Sequence, residues 1–139
     1  MEEAVQILLV EDNKNDAELT MRTLKKNNIS NRIFWVKDGA QAIDFLFARG
    51  EFSHRNKNHT PKVVLLDLKL PKKDGIEVLR ELRANDELKK LPIVMLTSSK
   101  EEKDMVKSYH LGVNSYIVNP SISMILQRPS TIWAITGWL

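Results

Sequence analysis

Short apolar runs alternate along the chain with segments whose apolar residues recur at helical spacing. Three runs are continuous and short, as in strands buried in a parallel sheet: Ile7–Val10, Val63–Leu66 and Ile93–Leu96. Arg32–Val36 and Tyr116–Val118 are predicted as two further strands. Strands separated by helices indicate βαβ units, so the pattern predicts an α/β fold with a doubly wound, five-stranded parallel sheet.

Polar cap and turn residues mark the predicted helices. They run from about Lys14 to Lys26, from Asp38 to about Phe47, from the turn at 70–75 to about Asn85, and from the turn at 97–99 to before Gly112. Asn13 is the expected cap of the first helix, and Asn27 and Asn28 end it. Asp38 with Gln41 and Ser99 with Glu102 fit capping boxes. The intervening segment Arg49–Pro61 is predicted to be a polar, flexible and exposed loop.

The composition changes after Pro120. Arg128 is the only charged residue at positions 121–139, and Pro129 would interrupt a helix begun near Ser121. We therefore predict a core over residues 1–120 and, over 121–139, an atypical apolar C-terminal segment in place of a regular fifth helix. Its apolar side chains would cover the sheet or form a homodimer.

Composition excludes several classes of function. A chain of 139 residues with 42% hydrophobic residues has the size of one domain. It has no cysteine, no signal-like start and no apolar stretch near the roughly 20 residues that cross a bilayer, so we expect a cytoplasmic protein without membrane contact. The net charge is +3, but basic and acidic residues are interspersed, and we expect no nucleic-acid binding.

Carboxylates follow two of the apolar runs. Glu11 and Asp12 come after the first strand, and Asp67 ends the third. Taken alone, an acidic residue at a strand end is commonly a turn or helix cap. Carboxyl ends of parallel strands, however, form the ligand-binding edge of such sheets, where three carboxylates would repel unless a cation lay among them. An all-oxygen cluster suits a hard divalent ion, so we predict a Mg²⁺ site.

Four motifs, in this order and spacing, resemble the receiver domain of response regulators. They are Leu9–Asn13, Leu65–Pro71, Asp74–Gly75 and Met95–Ser98, within a region of similarity covering about residues 5–120. The resemblance implies a flavodoxin-like receiver fold. The loop Arg49–Pro61 is similar to that of single-domain receivers that serve phytochrome-type histidine kinases.

The resemblance also implies roles at the acidic site. Asp67 would be the phosphoacceptor for a sensor histidine kinase, with Mg²⁺ bound by Asp12, Asp67 and the main-chain carbonyl of Lys69. Glu11 would act on the ion through water. Thr97 would then hydrogen-bond a phosphoryl oxygen and move inward. Tyr116 would change its rotamer in response, which would alter a surface that a downstream phosphotransfer or effector protein reads.

One motif departs from the family pattern. Asn119 stands before Pro120, where the family has a lysine that contacts the phosphoryl group. Asparagine supplies no charge and reaches less far, so we expect phosphorylation on Asp67 with a weakened signal. The peptide before Pro120 is expected to be cis, as in the family.

Alternative interpretations of these residues remain. Thr97, together with Ser98 and Ser99, could serve merely as a cap for the following helix. Tyr116, taken alone, is more typical of a residue that packs at a sheet edge. His54 and His59 lack a nearby third ligand, which disfavours a zinc site.

Two other functions remain open besides the response regulator, which we do not expect to be an enzyme beyond self-phosphorylation and autodephosphorylation. The first is a binding module of the same fold that is not phosphorylated. The second is a phosphatase with an aspartyl-phosphate intermediate, disfavoured because Lys69 stands where such enzymes need a second acid.

Overall fold

Five parallel strands form the centre of the protein, which a computed structural model describes at residues 5–26, 29 and 32–118. The strands are β1 (Ile7–Val10), β2 (Ile33–Val36), β3 (Val63–Asp67), β4 (Ile93–Thr97) and β5 (Ser115–Val118), in the order β2-β1-β3-β4-β5. The central strands β1, β3 and β4 are almost wholly buried because helices cover both faces of the sheet, whereas most residues of β2 and β5 are half-buried. The predicted α/β fold is therefore confirmed.

The helices lie between the strands as the polar caps predict. They are α1 (Lys14–Lys26), α2 (Gly39–Leu46), α3 (Gly75–Arg83) and α4 (Lys100–Ser108), with a short 3-10 helix at Gly50–Phe52. The Asp38 carboxylate accepts a hydrogen bond from the Gln41 amide at 2.8 Å, and the Ser99 hydroxyl accepts one from the Glu102 amide at 3.2 Å. The Asn13 side chain likewise accepts from the Asp16 amide at 3.0 Å, so all three predicted capping residues are confirmed. Within the described residues, no helix is long and apolar enough to cross a membrane.

The third helix ends slightly earlier than predicted, and the fourth ends before Gly112 as predicted. The third ends at Arg83 rather than near Asn85, because the Asn85 side chain accepts hydrogen bonds from the Glu87 and Leu88 amides and folds the chain into a turn. The fourth ends at Ser108, and His110 follows with φ of 52°. Gly112 also has a positive φ, 68°, but lies beyond the helix end.

The segment Arg49–Pro61 is only partly the exposed loop that was predicted. His54 and His59 are exposed, but Phe52 packs edge-on against Phe34 and Phe45, with ring centroids 5.8 and 5.3 Å apart. The Arg55 guanidinium lies 3.7 Å from the centroid of the Phe45 ring and donates to the carbonyls of Phe45 and His59. The loop is thus packed against the sheet and α2, which a count of its polar residues does not indicate.

The core has two halves, one on each face of the sheet. Alternate strand residues such as Leu8 and Val64 face α2, α3 and α4, while Ile7 and Leu65 face α1. In the parallel register Val10 pairs with Leu66, and Asp67 pairs with Leu96. The carboxyl ends of β1, β3 and β4 therefore meet at one edge of the sheet.

Candidate functional site

Three carboxylates come together at this edge. Oxygen atoms of Glu11, Asp12 and Asp67 all lie within 4.8 Å of one another. Glu11 is buried, Asp67 is half-buried and Asp12 is exposed. In the described part of the chain, this is the one group of three or more His, Cys, Asp or Glu residues close enough to share an ion. The structure thus brings together the three acids that the sequence singled out.

Glu11 is fixed by hydrogen bonds on both its backbone and its side chain. Its amide donates to the Val36 carbonyl at 3.1 Å, and its carboxylate accepts from the Asn13 amide at 3.0 Å. Its carbonyl accepts from the indole N–H of Trp35 at 2.7 Å. Sequence reasoning missed Trp35; the available signal was an indole N–H, which needs a partner, on a strand expected to lie in the sheet.

Asp67 ends β3 beside a tight turn. Its carboxylate accepts a hydrogen bond from the Lys69 amide at 3.3 Å. The Gly75 amide donates to the Leu68 carbonyl at 2.8 Å, and a Cβ atom added at Gly75 would lie 2.8 Å from the Asp67 carbonyl oxygen. The glycine of the Asp74–Gly75 motif is needed because the start of α3 approaches the backbone of the phosphoacceptor candidate closely.

Burial and mutual repulsion change the acidity of the site. Burial is the main cause that raises the pKa of Glu11 from 4.5 to about 8, and the Asp67 and Asp12 charges add to the rise. Burial also raises the pKa of Asp67 from 3.8 to about 6, opposed by the hydrogen bond from the Lys69 amide. Near pH 7, the site therefore retains a proton that a bound cation would displace.

The donor set fits a hard divalent cation. Three carboxylates offer only oxygen atoms, which are the ligands that Mg²⁺ and Mn²⁺ accept. A cation among them would offset the repulsion that adds to the rise in pKa caused mainly by the burial of Glu11 and Asp67. The residues present are thus suited to hold such an ion.

A bridge of side chains crosses the site from the segment after β3 to the start of α4. The Lys69 ammonium lies 3.0 Å from one carboxylate oxygen of Glu102. The other oxygen of Glu102 accepts from both the amide and the hydroxyl of Ser98, each at 2.8 Å. The bond from the Ser98 amide is the main cause that lowers the pKa of Glu102. Sequence reasoning found the cap Ser99 but missed the contact of Glu102 with Lys69.

Thr97 ends β4, the strand beside Asp67, and Tyr116 lies on β5, the next strand of the sheet. The Thr97 hydroxyl is buried and has no hydrogen-bond partner among the residues that the structure describes. Tyr116 is half-buried, and the ammonium groups of Lys103 and Lys107 lie 5.8 and 5.6 Å from its ring centroid. An unpartnered buried hydroxyl costs stability, so Thr97 is a donor available to a ligand.

Several predictions fall outside the described residues. They are the departure at Asn119, the peptide before Pro120, and the apolar segment 121–139 with its proposed role in a homodimer. Each stays a prediction.

Comparison with known proteins adds independent information. The sequence pattern described as the response regulator receiver domain matches residues 7–128. The chain is 45% identical over 111 residues to response regulator Rcp1 of Synechocystis sp., a match that covers 80% of this chain and 74% of Rcp1.

Solved structures give the same result. The bacteriophytochrome response regulator RtBRR superposes with a TM-score of 0.84 at 47% identity, covering 98% of this chain and 78% of that one. The Mn²⁺-bound form of Rcp1 has a TM-score of 0.79 at 39% identity, covering 96% of this chain and 93% of that one. The phosphorylated cyanobacterial phytochrome response regulator RcpA has a TM-score of 0.80 at 36% identity, with coverage of 98% and 94%.

Proposed function

Because the chain belongs to the response regulator receiver family, we propose that Asp67 accepts a phosphoryl group from a sensor histidine kinase and that this changes a protein-binding surface. The convergence of Glu11, Asp12 and Asp67 carries the proposal. The phosphorylated state of RcpA supports it by analogy. A cytoplasmic location belongs to the same proposal.

The chemistry is one displacement at phosphorus. A carboxylate oxygen of Asp67 attacks the phosphoryl group of a phosphohistidine, the P–N bond breaks, and the imidazole nitrogen leaves with the electron pair and takes up a proton. The pKa of Asp67, raised to about 6, leaves this carboxylate mostly ionised near pH 7, so the attack needs no separate base. The product is an acyl phosphate on Asp67.

The proposed metal is Mg²⁺, held by Asp12, Asp67 and the main-chain carbonyl of Lys69, with Glu11 acting through water. When bound, the ion offsets negative charge on the entering phosphoryl group. The Mn²⁺-bound form of Rcp1 supports a divalent cation in a similar protein, and the three carboxylates here offer the oxygen donors it needs. In the proposal, Asn13 and Lys69 amides hold the Glu11 and Asp67 carboxylates in place.

Signalling would pass from the phosphoryl group to the surface of α4 and β5. The buried Thr97 hydroxyl would donate a hydrogen bond to a phosphoryl oxygen, which would give it the partner it lacks among the described residues. Tyr116 would then change its position beneath Lys103 and Lys107, altering the face that an effector reads. The effect of the phosphorylation is thus a changed surface, and we propose that the chain does not turn over an external substrate.

Asn119 is proposed to weaken this signal, since it replaces a lysine with a shorter, uncharged side chain. Replacement Asn119→Lys should lengthen the phosphoryl lifetime or strengthen effector binding. If occupancy, lifetime and partner affinity all stayed the same, this part of the proposal would be abandoned.

A homodimer through residues 121–139 is a separate proposal, and a monomer mass that does not depend on concentration would contradict it.

The test uses a small phosphodonor. Wild-type protein incubated with acetyl phosphate and Mg²⁺ should gain the mass of one phosphoryl group, and Asp67→Asn should not. The reaction with EDTA should give no gain. If folded wild-type protein gained no mass, a binding module that is not phosphorylated would be favoured. Turnover of a small phosphoester that is lost in Asp67→Asn would instead favour a phosphatase.

A further inference from the structure

The backbone that carries Glu11 and Asp12 is held by a tryptophan on the neighbouring strand. We propose that Trp35 is a positioning residue of the metal site: its indole N–H fixes the peptide between Glu11 and Asp12 in the orientation that binds a divalent cation. This inference rests on the proposed metal site and deepens it.

The position of this hydrogen bond explains how it can orient Asp12. The Glu11 carbonyl and the Asp12 amide belong to one planar peptide unit. A hydrogen bond that fixes the direction of this carbonyl therefore fixes the plane from which the Asp12 side chain departs. The indole donates to the carbonyl at 2.7 Å, a short and well-formed bond.

The contact begins where the regular sheet ends. β1 ends at Val10, and the Glu11 amide still donates to the Val36 carbonyl, the last residue of β2. The Glu11 carbonyl is the next acceptor along the chain, and it receives the indole. Trp35 thus extends the pairing of β1 with β2 by one hydrogen bond, into the segment that carries the ligands.

Trp35 itself is held in place. It pairs with Leu9 in the register of β1 and β2, and its side chain packs against the buried cluster under α1. The exposed Lys37 ammonium also lies 5.7 Å from the centroid of its ring, outside this packing. The donor is therefore fixed by packing before any cation binds, which spares the site an ordering cost on binding.

The first experiment measures Mg²⁺ affinity by isothermal titration calorimetry in wild-type protein, Trp35→Phe and Lys37→Met. Trp35→Phe keeps an aromatic ring but removes the donor, and we expect Mg²⁺ to bind about threefold to tenfold more weakly because one net hydrogen bond is lost. Lys37→Met removes the contact with the same ring and leaves the indole bond, so its affinity should equal that of wild type. Equal affinities in Trp35→Phe and wild type would overturn the inference.

A second measurement does not depend on the folding of a variant. In the ¹⁵N-labelled wild-type protein, the indole N–H resonance of Trp35, assigned by through-space contacts to Leu9, should shift with the same Mg²⁺ dependence as the calorimetric binding curve. An indole resonance that stays unchanged at saturating Mg²⁺ would contradict the inference.

Asp12→Asn separates this inference from the proposed function. If wild type binds Mg²⁺ and Asp12→Asn does not, the metal site is present and Trp35→Phe decides the role of Trp35. If wild type and Asp12→Asn both fail to bind Mg²⁺, the metal site fails and the inference fails with it.

Discussion

The two edges of the sheet differ in whether their charged side chains find partners within the chain. Before β4 and β5, at the amino-terminal edge, Arg83 donates to the carbonyls of Leu111, Gly112, Lys89 and Leu91 at 2.8 to 2.9 Å. At the carboxyl-terminal edge, three carboxylates lie together, and burial raises the pKa values of two of them. At the first edge, backbone carbonyls of the chain accept hydrogen bonds from the charged side chain. At the second edge, the carboxylates are available to a ligand. Stability and function are thus divided between the edges, and a functional site carries a cost in stability.

The largest expected effect comes from breaking the amino-terminal edge. Arg83→Met keeps the aliphatic part of the side chain but leaves four carbonyls without this donor, so the free energy of unfolding should fall by about 2–4 kcal/mol. Chemical denaturation measures it. The matched control is Arg80→Met on the same helix, because the Arg80 guanidinium lies over the Tyr109 ring at 4.9 Å and should contribute under about 1 kcal/mol.

Phosphorylation of the same variant tests whether the two edges act independently. Folded Arg83→Met protein should accept a phosphoryl group from acetyl phosphate at the rate of wild type, because the Arg83 contacts lie at the edge opposite Asp67. A folded Arg83→Met that had lost phosphorylation would show that the two edges are not separate.

The second effect is a dependence of stability on pH in protein without metal. The pKa values of Glu11 and Asp67 are raised on folding, to about 8 and about 6, so the folded state binds more protons than the unfolded state between about pH 4 and 8. The free energy of unfolding should therefore fall as the pH rises through this window, by at most about 1.4 kcal/mol per pH unit for each of the two groups. Urea denaturation in EDTA at several pH values measures the fall.

Saturating Mg²⁺ and a matched variant are the controls for this dependence. The ion binds the folded site with its carboxylates ionised, so it should restore most stability at the high end of the window. Glu11→Gln should flatten the metal-free curve because it removes the group with the largest rise in pKa. A curve that stayed steep in Glu11→Gln would assign the pH dependence to other residues.

The smallest effect concerns the bridge over the site. Lys69 is 76% exposed in its pair with Glu102, so Lys69→Met should change the free energy of unfolding by less than about 0.5 kcal/mol. Glu102→Ala should cost about 1–2 kcal/mol, because Ser98 loses its acceptor at the start of α4. Equal effects of the two substitutions, measured by thermal unfolding, would mean that the ion pair rather than the contact with Ser98 holds the bridge.

The sheet and its acidic edge could be predicted because local patterns encode them. The run Val63–Leu66 is apolar throughout, as in a strand covered on both faces, and Asp67 follows it directly. Asp38 and Ser99 cap helices through bonds to residues only three positions away. Such features are read within a short window of sequence.

The missed features depend on contacts between distant positions. Trp35 bonds to Glu11 24 positions away, and Arg83 bonds to Leu111 28 positions away. In each bond, the acceptor is a backbone carbonyl, which any residue type can supply, so the sequence does not identify it. The contact of Arg55 with the Phe45 ring was missed as well, because it packs a segment whose polar composition predicts an exposed loop.

The most direct test of the account locates the phosphoryl group. After reaction with acetyl phosphate and Mg²⁺, borohydride reduces an acyl phosphate to an alcohol, so an aspartyl phosphate becomes homoserine. Peptide mass spectrometry should find homoserine at position 67 in wild-type protein, and none after treatment without the phosphodonor. A phosphoryl group at another residue, or none in folded protein with Mg²⁺ bound, would contradict the assignment of Asp67 as the phosphoacceptor.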